Sequence, residues 1–586
     1  MEVQIRNRPF THFHPTLCQC PDSRLLVTFW GRLDNRGDIA AKLNLPQDDA
    51  NILSDAQMVL QGWHRWGETL PEKLVGDFAF AILDPLNNKC FLARDPVGAK
   101  PLYYYSDARA FFFSTTAAAC YTLKAARPKT RLDWLSLYLG NVSRSTRETA
   151  LENVYKLLPG HSLLVDGNGQ LTMRQWHFWR DDPPFATKRE DSWVNAYKAQ
   201  FEEAVRCRMI SSYPIGSENS GGLDSSSVTA CVAHLLGDPK DRLHSFSYAL
   251  ATLEPTRILS LGRYCGIRYN HILSVYWEAD DELVDRSLAV LGYPEEPSMA
   301  TKHAPFYQQC ALYGIRTLFS GSGGDEAATC PGQHLPHELW DGALYRQLWE
   351  GIHGSLLLRP IRMAKEVIRL RRPVEYNKSF LSAWRSRWSH CLLRPEVIQR
   401  LDIQSRYFDG ARWDAPFRRI NDFVVDQIRS AQLAVRLENG TLLAGSFGVE
   451  YRWPMLDSRL IQRYLSTPSI EKRGPKGVNR YLHRRAMADF VPPGYAWEAV
   501  KDLGFADVLN HQQSVGIVHM AALAQQVEEG LHPALDALVD RNKLREYILI
   551  AKKGNCERAF SVAFFMNIRL LRIANRWLHH GAVTID

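Results

Sequence analysis

The sequence predicts three architectures in succession: an α+β unit dominated by antiparallel β structure, an α/β unit with a parallel sheet, and a large, predominantly helical C-terminal part. Three observations carry this. Strand-type segments crowd the first 180 residues, strands and helices alternate from Asp191, and helical periodicity dominates from about Leu335. A boundary falls where Asp181–Arg189 (DDPPFATKR) concentrates proline and charge, giving units at 1–182 and 190–586. The chain has 586 residues, 45% hydrophobic and 23% charged, which excludes both a disordered protein and a membrane bundle.

Within the first unit, Arg24–Phe29 and Gly76–Leu83 have the β-branched and aromatic enrichment of strands. Phe91–Ala93 and Leu102–Tyr105 are expected to pair as a hairpin through Pro96–Gly98, and Leu163–Val165 with Leu171–Trp176 through Gly167–Gly169. In the second unit a helix carrying Trp193, Ala196, Phe201 and Val205 precedes a strand at Tyr213–Ser217. A glycine turn, a helix through Val228–Leu236 and a strand at Leu243–Tyr248 follow. The apolar run near Ala110–Tyr121 is broken by Ser114–Thr116, short of the roughly 18 residues a membrane helix needs. MEVQIRNRPF has no apolar signal core, and eleven scattered cysteines read as reduced thiols, so the expected location is cytoplasmic, with no membrane partner. A net charge of +8 admits an anionic substrate without demanding nucleic acid.

The segment richest in chemistry is YPIGSENSGGLDSSSV (213–228). Adjacent Gly221 and Gly222 let the backbone approach a ligand, and Ser225 and Ser226 add hydroxyls at a helix N-terminus, where free N–H groups favour an anion. There is no lysine for a G-x-x-x-x-G-K-[ST] loop. The segment instead matches SGGxDS of the ATP-pyrophosphatase families. Asp224 inside an anion cradle requires a cation. A second turn, LFSGSGGDE (318–326), offers Asp325, and in an open parallel sheet both turns would lie at the carboxyl ends of strands. Two carboxylates plus phosphates is a suitable set for Mg²⁺.

The ordered series SGGLDSS (220–226), SGSGGDE (320–326), GVEYRWPMLDSRL (448–460) and the late Lys501 resembles the asparagine synthetase superfamily, most nearly its lasso-peptide cyclases and β-lactam synthetases. GDFAFAILD (76–84) and ARDPVGAKPLYYY (93–105) resemble that family's glutaminase-like domain, and the similarity runs over roughly residues 20–510. The resemblance implies an Ntn-hydrolase-type β-sandwich followed by an ATP-pyrophosphatase domain. It also implies an AMP-forming, ATP- and Mg²⁺-dependent amide synthetase, in which a carboxylate is adenylated and then attacked by an amine. Carried over residue by residue, Ser220, Gly221, Gly222, Ser225 and Ser226 would hold the pyrophosphate. Asp224 and Asp325 would hold Mg²⁺, Ser320 and Gly321 would lie against the nucleotide, and Lys501 would neutralise charge as the adenylate forms.

Two departures from the family pattern shape the functional expectation. Residue 2 is Glu2 where the family's glutaminases present a cysteine, and Gly31–Arg36 reads GRLDNR in place of an RGPD-type segment, so ammonia from glutamine is not the expected nucleophile. Ser322 stands where asparagine synthetases carry a glutamate and β-lactam synthetases a tyrosine. This leaves Glu438 and Glu450 as candidate bases, neither singled out. The expected reaction is macrolactam closure of a processed precursor peptide, its N-terminal amine attacking a side-chain carboxylate. The alternative is a β-lactam synthetase or an ammonia-dependent synthetase on a small substrate. The basic stretch Arg359–Arg394, interleaved with Trp384 and Trp388, is a candidate surface for the peptide or a leader peptidase, and equally a solvated helix face. A tRNA-modifying enzyme would need an RNA module and catalytic cysteine pairs, which are not recognisable. A non-catalytic scaffold would not need Asp224, Asp325 and Lys501.

Overall fold

The computed structural model describes residues 16–20, 23–46, 52–122, 128–142, 147–181, 183–184, 186–248, 254–273, 280–298, 300–353, 355, 357–371, 378–409, 417–498 and 505–580. The N-terminal unit is built on a six-stranded antiparallel sheet: β1 (Thr16–Gln19), β2 (Leu26–Leu33), β3 (Gly76–Asp84), β4 (Lys89–Arg94), and, beyond a second sheet, β8 (His161–Val165) and β9 (Leu171–Gln175). The second sheet has three strands, β5 (Tyr103–Ser106), β6 (Phe111–Ser114) and β7 (Val154–Lys156), with β5 in the centre. Period-two alternation sorts β3 into two cores. Phe78, Phe80 and Ile82 pack on helices α1 (Arg36–Leu43) and α2 (Asp55–Trp66), while Ala79 and Ala81 face Tyr104 of the second sheet. Helix α2 starts at a capping box in which Ser54 and Gln57 satisfy each other's backbone N–H groups.

The hairpin expected at Leu163–Trp176 forms, as β8 and β9. The one expected between Phe91–Ala93 and Leu102–Tyr105 does not, because β4 pairs with β3 and β8 while β5 pairs with β6 and β7. Asp95 decides this. Its carboxylate accepts the N–H groups of Val97, Gly98, Ala99 and Lys100. The Arg94 guanidinium donates to the carbonyls of Gly98, Lys100 and Leu157, so the chain is turned from one sheet into the other.

The second unit begins with α3 (Asp191–Arg206) and has a five-stranded sheet in the order β12-β11-β10-β13-β14, all parallel. Its strands are β10 (Ile215–Glu218), β11 (Leu243–Tyr248), β12 (Tyr269–Leu273), β13 (Thr317–Phe319) and β14 (Glu450–Arg452). Helix α4 (Leu223–Leu236) follows β10 and starts earlier than the sequence pattern suggests. Helices α5 (Glu254–Tyr264), α6 (Asp281–Leu291) and α7 (Ala304–Leu312) complete the covering. Strands run outward from β10 in one direction and from β13 in the other. The crevice between these two, at their carboxyl ends, is therefore the topological switch point where such sheets bind ligands.

The C-terminal helices, among them α8 (Arg359–Arg371), α9 (Ala431–Ser446), α10 (Phe505–Glu529), α11 (Arg541–Lys552) and α12 (Arg558–His579), do more than extend the second unit. Ile517, Phe564 and Trp577 share one core with Trp30, Tyr103 and Tyr138 of the N-terminal unit, so the tail seals the two units together. Charge completes the joint. Arg208, 1% exposed, reaches Asp457 at 2.6 Å, Asp77 at 3.2 Å and Asp34 at 3.3 Å, and Arg32 pairs with Asp34 and Asp77. The Asp34, Cys207 and Asp457 ligand atoms lie within 4.8 Å of one another, but Arg208 and Arg459 already neutralise the two carboxylates, which argues against a metal there. No helix among the described residues is long and apolar enough to cross a membrane.

Candidate functional site

The switch-point crevice is lined by the two glycine turns. After β10 the chain passes through Asn219 and Ser220 to Gly221, whose φ of +68° is open to glycine and costly for a side chain. Helix α4 then begins at Leu223 with no side chain capping its N-terminus, so its first N–H groups face the crevice. The hydroxyls are preset around it. Ser225 Oγ accepts the Ser220 N–H at 3.1 Å, and Ser226 Oγ lies 2.8 Å from the Tyr495 hydroxyl. Arg257 stacks 3.8 Å over the Tyr495 ring and donates to the Gly221 carbonyl at 2.6 Å, which fixes the turn from behind.

The second turn follows β13 and presses against the first. A Cβ on Gly321 would lie 2.5 Å from the Ser225 nitrogen, and one on Gly324 would lie 2.7 Å from the Asp224 carboxyl carbon. Only glycine permits this approach. Thr329 donates to Asp224 at 2.8 Å, and Arg480 donates to Asp224 at 2.8 Å and also to Asp325. The sequence-predicted pair of aspartates thus converges on one cationic group. Burial raises the Asp224 carboxyl above its ordinary value, and Arg480 and Thr329 only partly offset that. A carboxylate so placed is stabilised by further positive charge, and the oxygen donors fit a hard divalent cation.

Ser220, Gly221, Gly222, Asp224, Ser225, Ser226, Ser320, Gly321 and Asp325 therefore form one surface, and Ser322 sits beside it with its N–H on Ser320 Oγ at 3.1 Å. The two other candidate bases are not brought to Ser322. Glu438, 1% exposed on α9, is held by Arg94 at 2.8 Å and Lys156 at 3.1 Å. Glu450 is held by Lys100 at 2.9 Å and Arg452 at 2.8 Å. Both carboxylates are buried and ion-paired, Glu438 with Arg94 and Lys156 of the N-terminal unit and Glu450 with Lys100 of that unit and Arg452 of its own strand, which suits the joint between units better than proton transfer from an amine. Lys501 lies outside the described residues.

The basic stretch divides. Helix α8 exposes Ile361 and Ile368 with its arginines, Arg369 pairing with Glu366, whereas Trp384 and Trp388 pack on Tyr407 at 4.7 and 5.0 Å. The interleaved aromatics therefore belong to a packing cluster. Sequence reasoning missed Arg480, Arg257 and Tyr495, and also Glu218, His303 and Tyr451, which cluster at the end of β10. Of these, Glu218 directly follows the expected strand that feeds the glycine turn and Tyr451 lies within the GVEYRWPMLDSRL motif, but neither position is singled out as functional from sequence.

Comparison with known proteins agrees with this layout. A family model described as asparagine synthase matches residues 196–571, and one described as glutamine amidotransferase domain matches residues 17–178. Asparagine synthetase [glutamine-hydrolyzing] 3 of Bacillus subtilis is 28% identical over 40% of this chain and 38% of its own length. A putative asparagine synthetase [glutamine-hydrolyzing] 2 of Methanocaldococcus jannaschii is 26% identical over 52% of this chain and 58% of its own length. The chain thus spans less than two thirds of the length of these two relatives. Asparagine synthetase [glutamine-hydrolyzing] 1 of Bacillus subtilis is 25% identical over 95% of this chain and 87% of its own. With the family model covering well over half of its residues, the chain belongs to the asparagine synthase family.

Proposed function

We propose that the chain is an ATP-dependent, AMP-forming amide synthetase, and that its substrate is a peptide closed into a macrolactam. The observation that carries the first part is the meeting of Asp224 and Asp325 at Arg480 beside the uncapped N-terminus of α4. That end of the helix, with the hydroxyls of Ser220, Ser225 and Ser226, suits the two phosphates that depart as pyrophosphate. Arg480 neutralises the leaving charge, and Ser320 and Gly321 form the opposite wall of the crevice. Asp224 and Asp325 would hold Mg²⁺, which when bound supplies further charge neutralisation to the phosphates.

The choice of nucleophile rests on the N-terminal unit. Arg32 of the GRLDNR segment is 3% exposed and committed to Asp34 and Asp77 in the joint between units. Burial raises the Cys18 thiol, the opposite of nucleophile activation. Both features support an amine carried by the substrate itself. The helical C-terminal part and the exposed basic face of α8 suit a peptide substrate processed from a precursor, together with the leader peptidase that would deliver it. The test is incubation with ATP, Mg²⁺ and linear peptides that have a free N-terminal amine and an internal aspartate or glutamate. AMP and pyrophosphate should appear with a product lighter by one water. Release of ADP overturns the synthetase reading. Turnover confined to small β-amino acids, or to aspartate with ammonium, overturns the peptide.

A further inference from the structure

The crevice holds a second polar cluster, on the opposite side of the sheet from α4, that the phosphate-binding turns do not use. Glu218 is the last residue of β10, and its carboxylate is gripped from three elements. Ser320, directly after β13, donates to Oε2 at 2.5 Å, and Tyr451 of β14 donates to Oε1 at 2.6 Å. His303, on the turn leading into α7, places Nδ1 3.1 Å from the same Oε1 and 3.0 Å from the Tyr451 oxygen. The Ser320–Glu218 bond crosses from β13 to β10, so it spans the switch point itself. Ser322 Oγ is a further 3.1 Å from Ser320 Oγ.

Hydrogen-bond accounting fixes the histidine tautomer. The Tyr451 hydroxyl has one proton and gives it to Glu218, so the contact with His303 needs the proton of Nδ1–H. Placing a lone pair at Nδ1 instead would set it against the Glu218 carboxylate. The ring therefore carries Nδ1–H, and its Nε2, which has no partner among the described residues, is an acceptor in the neutral form of the ring. The side chains of Glu218 and His303 keep 13% and 22% exposure, so the cluster is not sealed in a core. A carboxylate that orients an imidazole by Nδ1–H and leaves Nε2 to accept a proton is a general-base arrangement.

We infer that His303, oriented by Glu218 and Tyr451, is the base that takes the proton from the attacking amine, the task Ser322 cannot perform. This rests on the amide-synthetase reading above. In the step, the amine lone pair attacks the acyl carbon of the acyl-adenylate and the C–N bond forms. The C–O bond to the AMP phosphate breaks, and its electron pair leaves with AMP. The surplus N–H proton passes to Nε2 of His303 and then to water. His303 is the catalytic residue of this pair of steps, and Glu218 and Tyr451 are positioning residues.

The experiment separates the two half-reactions. ATP–pyrophosphate exchange with a linear, aspartate-containing peptide reports adenylation before any amine acts. Lactam formation from the same peptide reports amine attack. Hydroxamate formation from its N-acetylated form with hydroxylamine reports attack by a nucleophile that is uncharged at neutral pH and gives its surplus proton to water without an enzyme base. His303→Ala and His303→Gln should lower lactam formation by about 10²- to 10³-fold, leaving exchange and hydroxamate formation at the wild-type rate. Glu218→Gln and Tyr451→Phe should show the same split with a smaller loss, whereas a merely structural role would lower lactam and hydroxamate together. Equal losses in both, or none in either, overturn the inference. Wild-type protein without exchange on any carboxylate overturns the synthetase reading first, and this assignment with it.

Discussion

Replacing Gly321 by alanine tests whether the two glycine turns form one site. The added Cβ would lie 2.5 Å from the Ser225 nitrogen, 2.7 Å from its Cα and 2.9 Å from the Asp224 carbonyl carbon. All three are backbone atoms, so no rotamer change relieves the overlap. Since non-bonded carbon contacts settle at about 3.5–4.0 Å, the turns must separate by about 1 Å. Overpacking of this kind costs about 1–3 kcal/mol of stability, a modest drop in unfolding midpoint for a chain of this size. The functional loss is larger, because a misplacement of about 1 Å at reacting groups costs about 10²-fold in rate. ATP–pyrophosphate exchange is the assay, with circular dichroism melting alongside. Gly37→Ala is the control, since a Cβ there meets nothing within 4 Å and Gly37 is an exposed position of α1. It should leave exchange unchanged and stabilise α1 by about 0.5–1 kcal/mol. Wild-type exchange in Gly321→Ala would show that the contact between the turns does not matter to the chemistry.

The remaining predictions concern charge. Arg480→Ala should reduce pyrophosphate exchange by about 10- to 100-fold, one charge-assisted bond to Asp224 being worth about 1.5–3 kcal/mol and the exposed Asp325 arm little; Arg480→Lys should fall between it and wild type, and an unchanged rate would remove Arg480 from the site. Arg208→Met strands the Asp34, Asp77 and Asp457 carboxylates in the joint and should cost about 3–5 kcal/mol in denaturant titration; a shift under 1 kcal/mol, on the same scale, would mean that the joint tolerates unpaired charge. Asp457 is buried, which raises its carboxyl, but Arg208 and Arg459 outweigh that and hold it at about 2. The stabilisation is therefore complete above the ordinary carboxylate range and should be lost as pH falls through about 2, as an acid unfolding limb that Asp457→Asn reduces. Lys472, fully buried over the Tyr464 ring with Asn421 at 2.6 Å, has its amine lowered by burial to about 7. The unfolded chain then binds the extra proton between about pH 7 and the ordinary lysine value, so stability should rise with pH across that window, and Lys472→Met should flatten the slope.

The glycine turns were legible because their logic is local. A strand, two glycines and a helix start with hydroxyls are contiguous, and backbone N–H groups at a helix N-terminus point to an anion whatever surrounds them. The hairpin misassigned at Phe91–Tyr105 failed for the opposite reason. Strand-forming residues and a proline–glycine turn are compatible with pairing, but the buried Asp95 and Arg94 bonds send the two strands to different sheets.

By itself, then, the sequence determined the order of the three architectures, the two glycine turns and the aspartates they carry. Only the tertiary structure decided which polar groups serve them. Arg480 reaches both aspartates from more than 150 residues away, and Glu218, His303 and Tyr451 come from three separate segments. Glu438 and Glu450 had the better sequence credentials as bases, yet each is consumed by lysine and arginine partners. The physical reason is that the chemistry of a carboxylate or an imidazole is set by what faces it across a few ångströms, and in this chain those neighbours are supplied by folding and not by spacing.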